Sequence, residues 1–380
     1  MKNISRQSLM QAGYFVLMSL IWLIIGWTLR SQLMTRQTTL DDQVMQIIRR
    51  DFPGEIPNEE ELSFAAVQGM LKVVDDPFAV VIPPPSSLKF EADMAGETGI
   101  VGLVPNINEA GQMYIDTVIS SSTADEAGVR AGDILLSIDG IPVNAATTVT
   151  GSALLFRGPV GEPAHLVIER NGEILNFSPQ RVERVALEWE ILDGGVGYIA
   201  QYTFTTNVPQ LFKEALTAIM ATNPTAVIWD VRFNGGGSMT VAQDVLSNFI
   251  ETGALFEVTL KDNRTQLFSA NGGAIAPDVP LYVLVNQFTY SAAETVASTM
   301  QETGRGITIG TTTYGKGTIQ NTVPLKDDYL FEYTIGHWHT PAGVSYEGVG
   351  FEPAIFAPDD PETAVDETLA TALAQIVADD

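Results

Sequence analysis

The sequence predicts an α/β protein with two folded parts behind a short N-terminal segment. Three observations carry the prediction. From residue 185 onward, apolar runs of strand length alternate with amphipathic runs of helix length, the pattern of a largely parallel sheet covered by helices. From residue 90 to 183, short apolar strands are separated by Gly-rich turns, the pattern of a small β-rich module. Ahead of both lies an apolar run, residues 12–29, that carries no charge.

That run comes first in the chain. Residues 1–36 contain Lys2, Arg6, Arg30 and Arg36 and no acid. As a helix rising ~1.5 Å per residue, 12–29 spans about 27 Å, close to the ~30 Å hydrocarbon core of a bilayer. Lys2 and Arg6 favour a cytoplasmic tail over 1–11 and a transmembrane anchor over 12–29, with the rest outside the cytoplasm. A cleaved signal peptide and a buried core helix are the other two readings. Against the signal peptide, the run exceeds the usual ~7–15 apolar residues and no small-x-small site follows it.

Residues 30–89 read as a helical segment. Val44, Ile47 and Ile48 recur at helical spacing within 41–50, and a second helix is expected over 59–74. Asp76-Pro77 ends it, and Pro83-Pro84-Pro85 forms a stiff connector. The β-rich module, 90–183, has strands at 100–104, 114–119, 134–138 and 164–169, with a short helix over 124–129 that Gly128 closes. The alternating part, 184–357, runs strand 197–201, helix 208–222, strand 226–231, helix 239–251, strand 281–285 and helix 291–302. A last helix, 362–377, lies in the C-terminal segment 358–380.

Composition narrows the chemistry. With 20 Lys+Arg against 46 Asp+Glu the chain carries −26, so it lacks the basic excess that a nucleic-acid partner needs. Beyond residue 36 the balance is −30, from 16 basic and 46 acidic residues. Having no Cys excludes disulfides, thiolate zinc sites and a cysteine nucleophile. Three His leave little for a metal cluster, and no cofactor is expected. A nucleophile must then be Ser, Thr, Lys or a carboxylate.

Ser291-Ala292-Ala293-Glu294 follows a buried strand and opens a helix, where orphan N–H groups can stabilise an oxyanion. Tyr314-Gly315-Lys316-Gly317-Thr318-Ile319-Gln320 comes 25 residues later, counted from Ser291 to Lys316. Glycines on both sides let backbone approach and bury the lysine. Burial lowers its pKa, and a neutral amine serves as a general base. Gln320, four residues on, stays near the lysine side in strand or helix and can hold the amine. Taken singly, Ser291 reads as a helix cap and Lys316 as a surface charge. The spacing and order of the two together favour chemistry. Glu294 reads as a structural cap, Glu302 as solvated, and His337 and His339 as structural residues on one strand face.

Two resemblances follow from these segments. Ala127-Gly128-Val129-Arg130-Ala131-Gly132-Asp133, then Ile138-Asp139-Gly140, resembles a PDZ domain, as does Leu155-Phe156-Arg157-Gly158 with Gly161. Gly99-Ile100-Val101-Gly102-Leu103 resembles that family's carboxylate-binding loop, so Gly99, Ile100 and Val101 are implied to hold a peptide's C-terminus. Thr123 stands where such domains usually have Pro. Strand–Ser-Ala-x-Glu–helix followed by Gly-Lys-Gly-x-x-Gln resembles the C-terminal processing (tail-specific) serine peptidases. Asp230-Val231-Arg232-Phe233-Asn234-Gly235-Gly236-Gly237, Thr340-Pro341 and Gly348-x-Gly350-x-x-Pro353 fit the same family, as does 65–77 ahead of the PDZ-like part.

The likeness runs from about residue 40 to the end and implies the superhelical α/β core shared with the Clp protease and crotonases. It implies Ser291 as nucleophile, Lys316 as base and Gln320 as orienting group. The Ala292 N–H and that of Gly236 or Gly237 would form the oxyanion hole, the choice of glycine staying open. Tyr290 departs from the usual Ala, and Pro353-Ala354 from the usual Pro-Asp. The implied partners are proteins or peptides with exposed C-termini and, through the anchor, a membrane, with an oligomer or activating partner left open. The rival reading is a PDZ-based adaptor whose peptidase core is inactive or partner-dependent.

Overall fold

The computed structural model describes residues 39–379 together with Met18 and Trp22, except 75, 85, 109, 120, 121, 144–148, 184, 361, 362 and 364. The expected tail 1–11 and anchor 12–29 lie outside the described residues apart from Met18 and Trp22, as do Pro85 and Glu362. Among the described residues no helix is long and apolar enough to cross a membrane. The chain divides into two compact units, Met1–Ala66 and Val67–Asp380.

In the first unit, the helix Leu40–Asp51 opens on a capping box. The Thr39 hydroxyl accepts from the Asp42 N–H, and the Asp42 carboxylate accepts from the Thr39 N–H. This helix buries none of its residues. The helix Glu59–Val74 matches its expected bounds.

The second unit holds the two sheets that position the site. One has the strand order Leu187–Leu192, Val196–Gln201, Val227–Asp230, Leu281–Val285, Ile307–Gly310, Ile355–Phe356. Only its first pair is antiparallel; the other four pairings are parallel. The parallel sheet expected from the sequence is therefore present. Its central strands Val227–Asp230 and Leu281–Val285 are buried throughout, as strands covered on both faces must be. One face packs the helices Val208–Met220, Met239–Leu246 and Ala292–Glu302 around Phe212, Trp229 and Phe249. The other face is closed by the C-terminal helix Glu367–Asp379 through Ala372 and Ile376.

The other sheet is antiparallel and was not foreseen. It takes Val80–Ile82, Leu330–His339, Ala254–Leu260 and Thr265–Ser269 in order, and Thr318–Pro324 also pairs with Leu330–His339. Two of its hairpins turn through Asp262-Asn263 and Asp327-Asp328, all four with positive φ. Such turns match strand twist, but these pairs signal it more weakly than Asn-Gly. Its first strand, Val80–Ile82, precedes the β-rich module, so the α/β core is assembled from both sides of that module.

The β-rich module is a sheet of Leu103–Ile107, Met113–Val118, Ile134–Ile138, Leu166–Arg170 and Glu173–Phe177, with Ile141–Pro142 pairing at one strand. Ile115, Leu135, Ile138, Leu166 and Ile168 fill its core. Gly128 ends the helix Thr123–Ala127 in the left-handed conformation, as expected. Two helices, Ser86–Ala95 and Val149–Phe156, were not foreseen. They help join module to core: Leu154 and Phe90 pack with Val80, Ile82 and Leu330, and Arg157 pairs with Asp93 at 3.1 Å.

Candidate active site

Three neighbouring parallel strands end at one edge of the sheet, and the loops that leave them build the site. Asp230 is in register with Leu284, and Val285 with Gly310. The segments after Val227–Asp230, Leu281–Val285 and Ile307–Gly310 must therefore meet, since ligands collect at the carboxyl ends of parallel strands. The first carries the glycine loop, the second Ser291, the third Lys316.

The turn into Ser291 is tightly held. Asn286 Oδ1 accepts from the Phe288 N–H and from the Phe233 N–H of the glycine loop. The Thr289 hydroxyl donates to the Val231 carbonyl, and the Tyr290 N–H donates to the Asn234 carbonyl. Ser291 itself has φ 51° and ψ −117°. A non-glycine residue in that region is strained, and such strain collects at functional sites. The helix Ala292–Glu302 starts immediately after it.

Gly236 lies against this turn. A Cβ added there would come within 2.9 Å of the Tyr290 carbonyl and 3.0 Å of the Ser291 Cβ, at φ +82°. Its own N–H donates to Asn234 Oδ1 at 2.9 Å. The N–H groups of Gly237 and Ala292 have no hydrogen-bond partner among the described residues.

Lys316 sits between two glycines, of which Gly315 needs to be glycine and Gly317 packs tightly. A Cβ at Gly315 would come within 2.6 Å of the Gly350 N, at φ +93°, and one at Gly317 within 3.0 Å of the Glu347 Cβ. The Lys316 amine donates to Gln320 Oε1 at 2.7 Å and lies 4.8 Å from the Phe78 ring centre. Desolvation pushes its pKa below the usual lysine range. Glu332, Glu347, Glu294 and Asp76 pull it back up without overcoming burial. Glu332 is itself buried, with one oxygen unpartnered among the described residues, and burial raises its pKa.

Glu294 connects the two loops. One of its oxygens accepts from both the Ser291 N–H and the Lys316 N–H, at 2.8 Å each. The other accepts from the Gly315 N–H and the Thr313 hydroxyl, at 2.6 Å each. Burial pushes this carboxyl up, and its four donors oppose that. The expected cap is thus present, and it reaches further than a cap: the same carboxylate binds the Lys316 loop.

Ser291, Ala292, Lys316, Gln320, Gly236 and Gly237 are accordingly brought together. Gly99, Ile100 and Val101 lie in the β-rich module, where Gly99–Ile100 pairs with Val182–Glu183 and the Gly99 N–H donates to the Gly158 carbonyl at 2.8 Å. Sequence reasoning missed Asp76, Phe78, Thr334 and Glu347. Glu347 accepts from the Gly317 N–H at 2.6 Å. The Asp76-Pro77 pair was noticed, though only as a helix stop. Tyr290 stacks on Tyr314 at 4.0 Å, so the bulky residue before Ser291 forms a wall with the one two before Lys316. Among the described residues, no group of three or more His, Asp or Glu could hold a metal.

Residues 195–356 match the profile of peptidase family S41, and residues 114–170 match that of a PDZ domain. The chain is 28% identical over 315 residues to the chloroplastic C-terminal processing peptidase of Tetradesmus obliquus, covering 77% of this chain and 67% of that one. It is 28% identical over 354 residues to the carboxy-terminal-processing protease of Bartonella bacilliformis, covering 90% and 80%. The structure of a photosystem II D1 C-terminal processing protease superposes with a TM-score of 0.64 at 26% identity, over 84% of this chain and 87% of that one. Over these residues the chain thus matches peptidase family S41 and a PDZ domain, and it is similar to carboxy-terminal-processing proteases.

Proposed function

We propose that the protein is an endopeptidase acting on proteins with exposed C-terminal tails, with Ser291 as nucleophile, Lys316 as base and Gln320 orienting the amine. The observation that carries this reading is the shared Glu294 oxygen, which binds the Ser291 and Lys316 N–H groups together. The Ser291 hydroxyl gives its proton to the neutral Lys316 amine as the oxygen attacks the scissile carbonyl. The charge on the carbonyl oxygen meets the uncommitted N–H groups of Ala292 and Gly237. Gly236 donates to Asn234 and contributes close approach instead. The Lys316 ammonium then protonates the leaving nitrogen as the C–N bond breaks, leaving an acyl-Ser291 ester. Water gives a proton to Lys316 and attacks that ester, and the acid leaves as Ser291 regains its hydrogen.

In this reading the PDZ domain binds the tail, its carboxylate meeting the N–H groups of Ile100 and Val101. Gly99 lies in the strand Gly99–Ile100 with its own N–H engaged by Gly158, and Gly102, at φ +81°, supplies the turn. Residues 12–29 anchor the chain, with the catalytic part outside the cytoplasm; the support is the basic, acid-free stretch 1–36.

One observation favours a second reading, a peptidase that rests until a partner or tail engages it. Among the described residues no hydrogen bond joins the Ser291 hydroxyl to the Lys316 amine, whose acceptor is Gln320. Both readings are tested by digesting an unfolded protein with the purified full chain, Ser291→Ala and Lys316→Ala. Each substitution is expected to lower kcat/KM by at least roughly 10²-fold. Parent activity in either variant contradicts the dyad. Adding a free-carboxyl tail peptide in trans separates the two readings, since only the resting enzyme is stimulated.

A further inference from the structure

Behind the Lys316 amine the structure holds a chain of hydrogen bonds that continues past Gln320. Gln320 Nε2 donates to the Thr334 hydroxyl at 3.2 Å. The Thr334 hydroxyl donates to Asp76 Oδ1 at 2.9 Å. Asp76 Oδ2 accepts the Thr334 N–H at 2.9 Å, and Oδ1 also accepts the Phe78 N–H at 3.0 Å. Asp76 precedes Thr334 by 258 residues and lies ahead of the whole PDZ domain.

The direction of this chain has a chemical consequence. An ionised carboxylate only accepts hydrogen bonds. The Thr334 hydroxyl must therefore give its single hydrogen to Asp76 and keep its lone pairs for Gln320. The Gln320 amide must then present Nε2 to Thr334 and Oε1 to Lys316. An acceptor facing Lys316 engages an N–H of the neutral amine and leaves the nitrogen lone pair free for the serine proton. The reversed amide would donate into that lone pair and block it.

We infer that Asp76 and Thr334 are positioning residues of the active site, which set the Gln320 amide so that the Lys316 lone pair stays available, while Phe78 closes the amine from behind. This rests on the Ser291–Lys316 reading above. The charged groups facing Lys316 are Glu332 from Leu330–His339, Glu347 from the loop that follows, Glu294 from the nucleophile helix and Asp76 itself. Asp76 favours the ammonium, so its removal lowers the Lys316 pKa.

The test is kcat and KM against pH for the full chain and for Thr334→Val, Thr334→Ser and Asp76→Asn, with thermal unfolding of each. Thr334→Val should lose about tenfold in kcat with little change in KM, and Thr334→Ser should restore most of it. Asp76→Asn should lose a similar factor and shift the acidic limb of the profile to lower pH. Equal kcat for Thr334→Val and the parent, or equal damage by Thr334→Val and Thr334→Ser, overturns the inference. If Asp76→Asn does not fold, the threonine pair decides alone. If Lys316→Ala keeps parent activity, the dyad reading itself has failed. If Lys316→Ala is inactive and Thr334→Val is unaffected, only the positioning chain has failed.

Discussion

At the residue scale, the site depends on two small features: one carboxylate and one missing Cβ. Glu294 satisfies four donors with two oxygens. In Glu294→Gln an NH2 group must replace one oxygen and face two of those donors. We expect a loss of roughly 2–4 kcal/mol, from buried groups left unpaired, measured by urea unfolding, together with a fall in turnover. Gly236→Ala sets a methyl against the Tyr290 carbonyl and the Ser291 Cβ at positive φ. Gly235→Ala meets nothing within 4 Å. The first should lower kcat by about 10²-fold and the second should leave it near the parent value, as read from initial rates on an unfolded protein. Ser291, Lys316 and Gln320 were legible because each lies in a short motif whose chemistry follows from neighbours in sequence. Asp76 and Thr334 were not, because only the fold brings them together.

At the element scale, Arg232 ties the glycine-loop strand to the C-terminal segment. It binds Asp230 at 2.7 Å, Asp359 at 2.9 Å and Asp366 at 2.7 Å. Arg232 and Asp230 are buried, whereas Asp359 and Asp366 are partly exposed and screened by solvent. Arg232→Lys keeps the charge but loses the planar fork, and should cost about 2 kcal/mol in urea unfolding. Burial pushes Asp366 up, but the Arg232 hydrogen bond and charge and the Leu369 N–H outweigh it, so its pKa is held below the usual carboxylate range. A depressed carboxylate stabilises the fold above its unfolded value of about 3.9 and loses that contribution as pH falls through its folded value. Denaturation midpoints of parent and Arg232→Lys should therefore converge in acid. Three parallel strands, near 197–201, 226–231 and 281–285, were legible from their apolar runs, whereas the short Ile307–Gly310 and Ile355–Phe356 were not. The antiparallel sheet was not, because its strands mix polar and apolar residues and turn on Asp-Asn and Asp-Asp.

At the scale of the whole molecule, the PDZ domain is inserted between parts of the core it serves. Val80–Ile82 joins the antiparallel sheet before the domain begins, and Leu154 of the domain packs on that sheet. That a β-rich module precedes the alternating α/β part was legible in the sequence; this interleaving was not, since a three-residue strand between Pro77 and Pro83 carries no periodicity. The proposed dyad uses a desolvated Lys316 amine, its pKa lowered by burial, to activate Ser291. Its most direct test is kcat/KM on an unfolded protein from pH 5 to 9, for the parent and Lys316→Ala. Because the neutral amine is the active form, the parent rate should rise with pH through one ionisation below the ordinary lysine value of about 10.4, and Lys316→Ala should be inactive throughout. A flat parent profile, or a Lys316→Ala variant that cleaves at the parent rate, would contradict it.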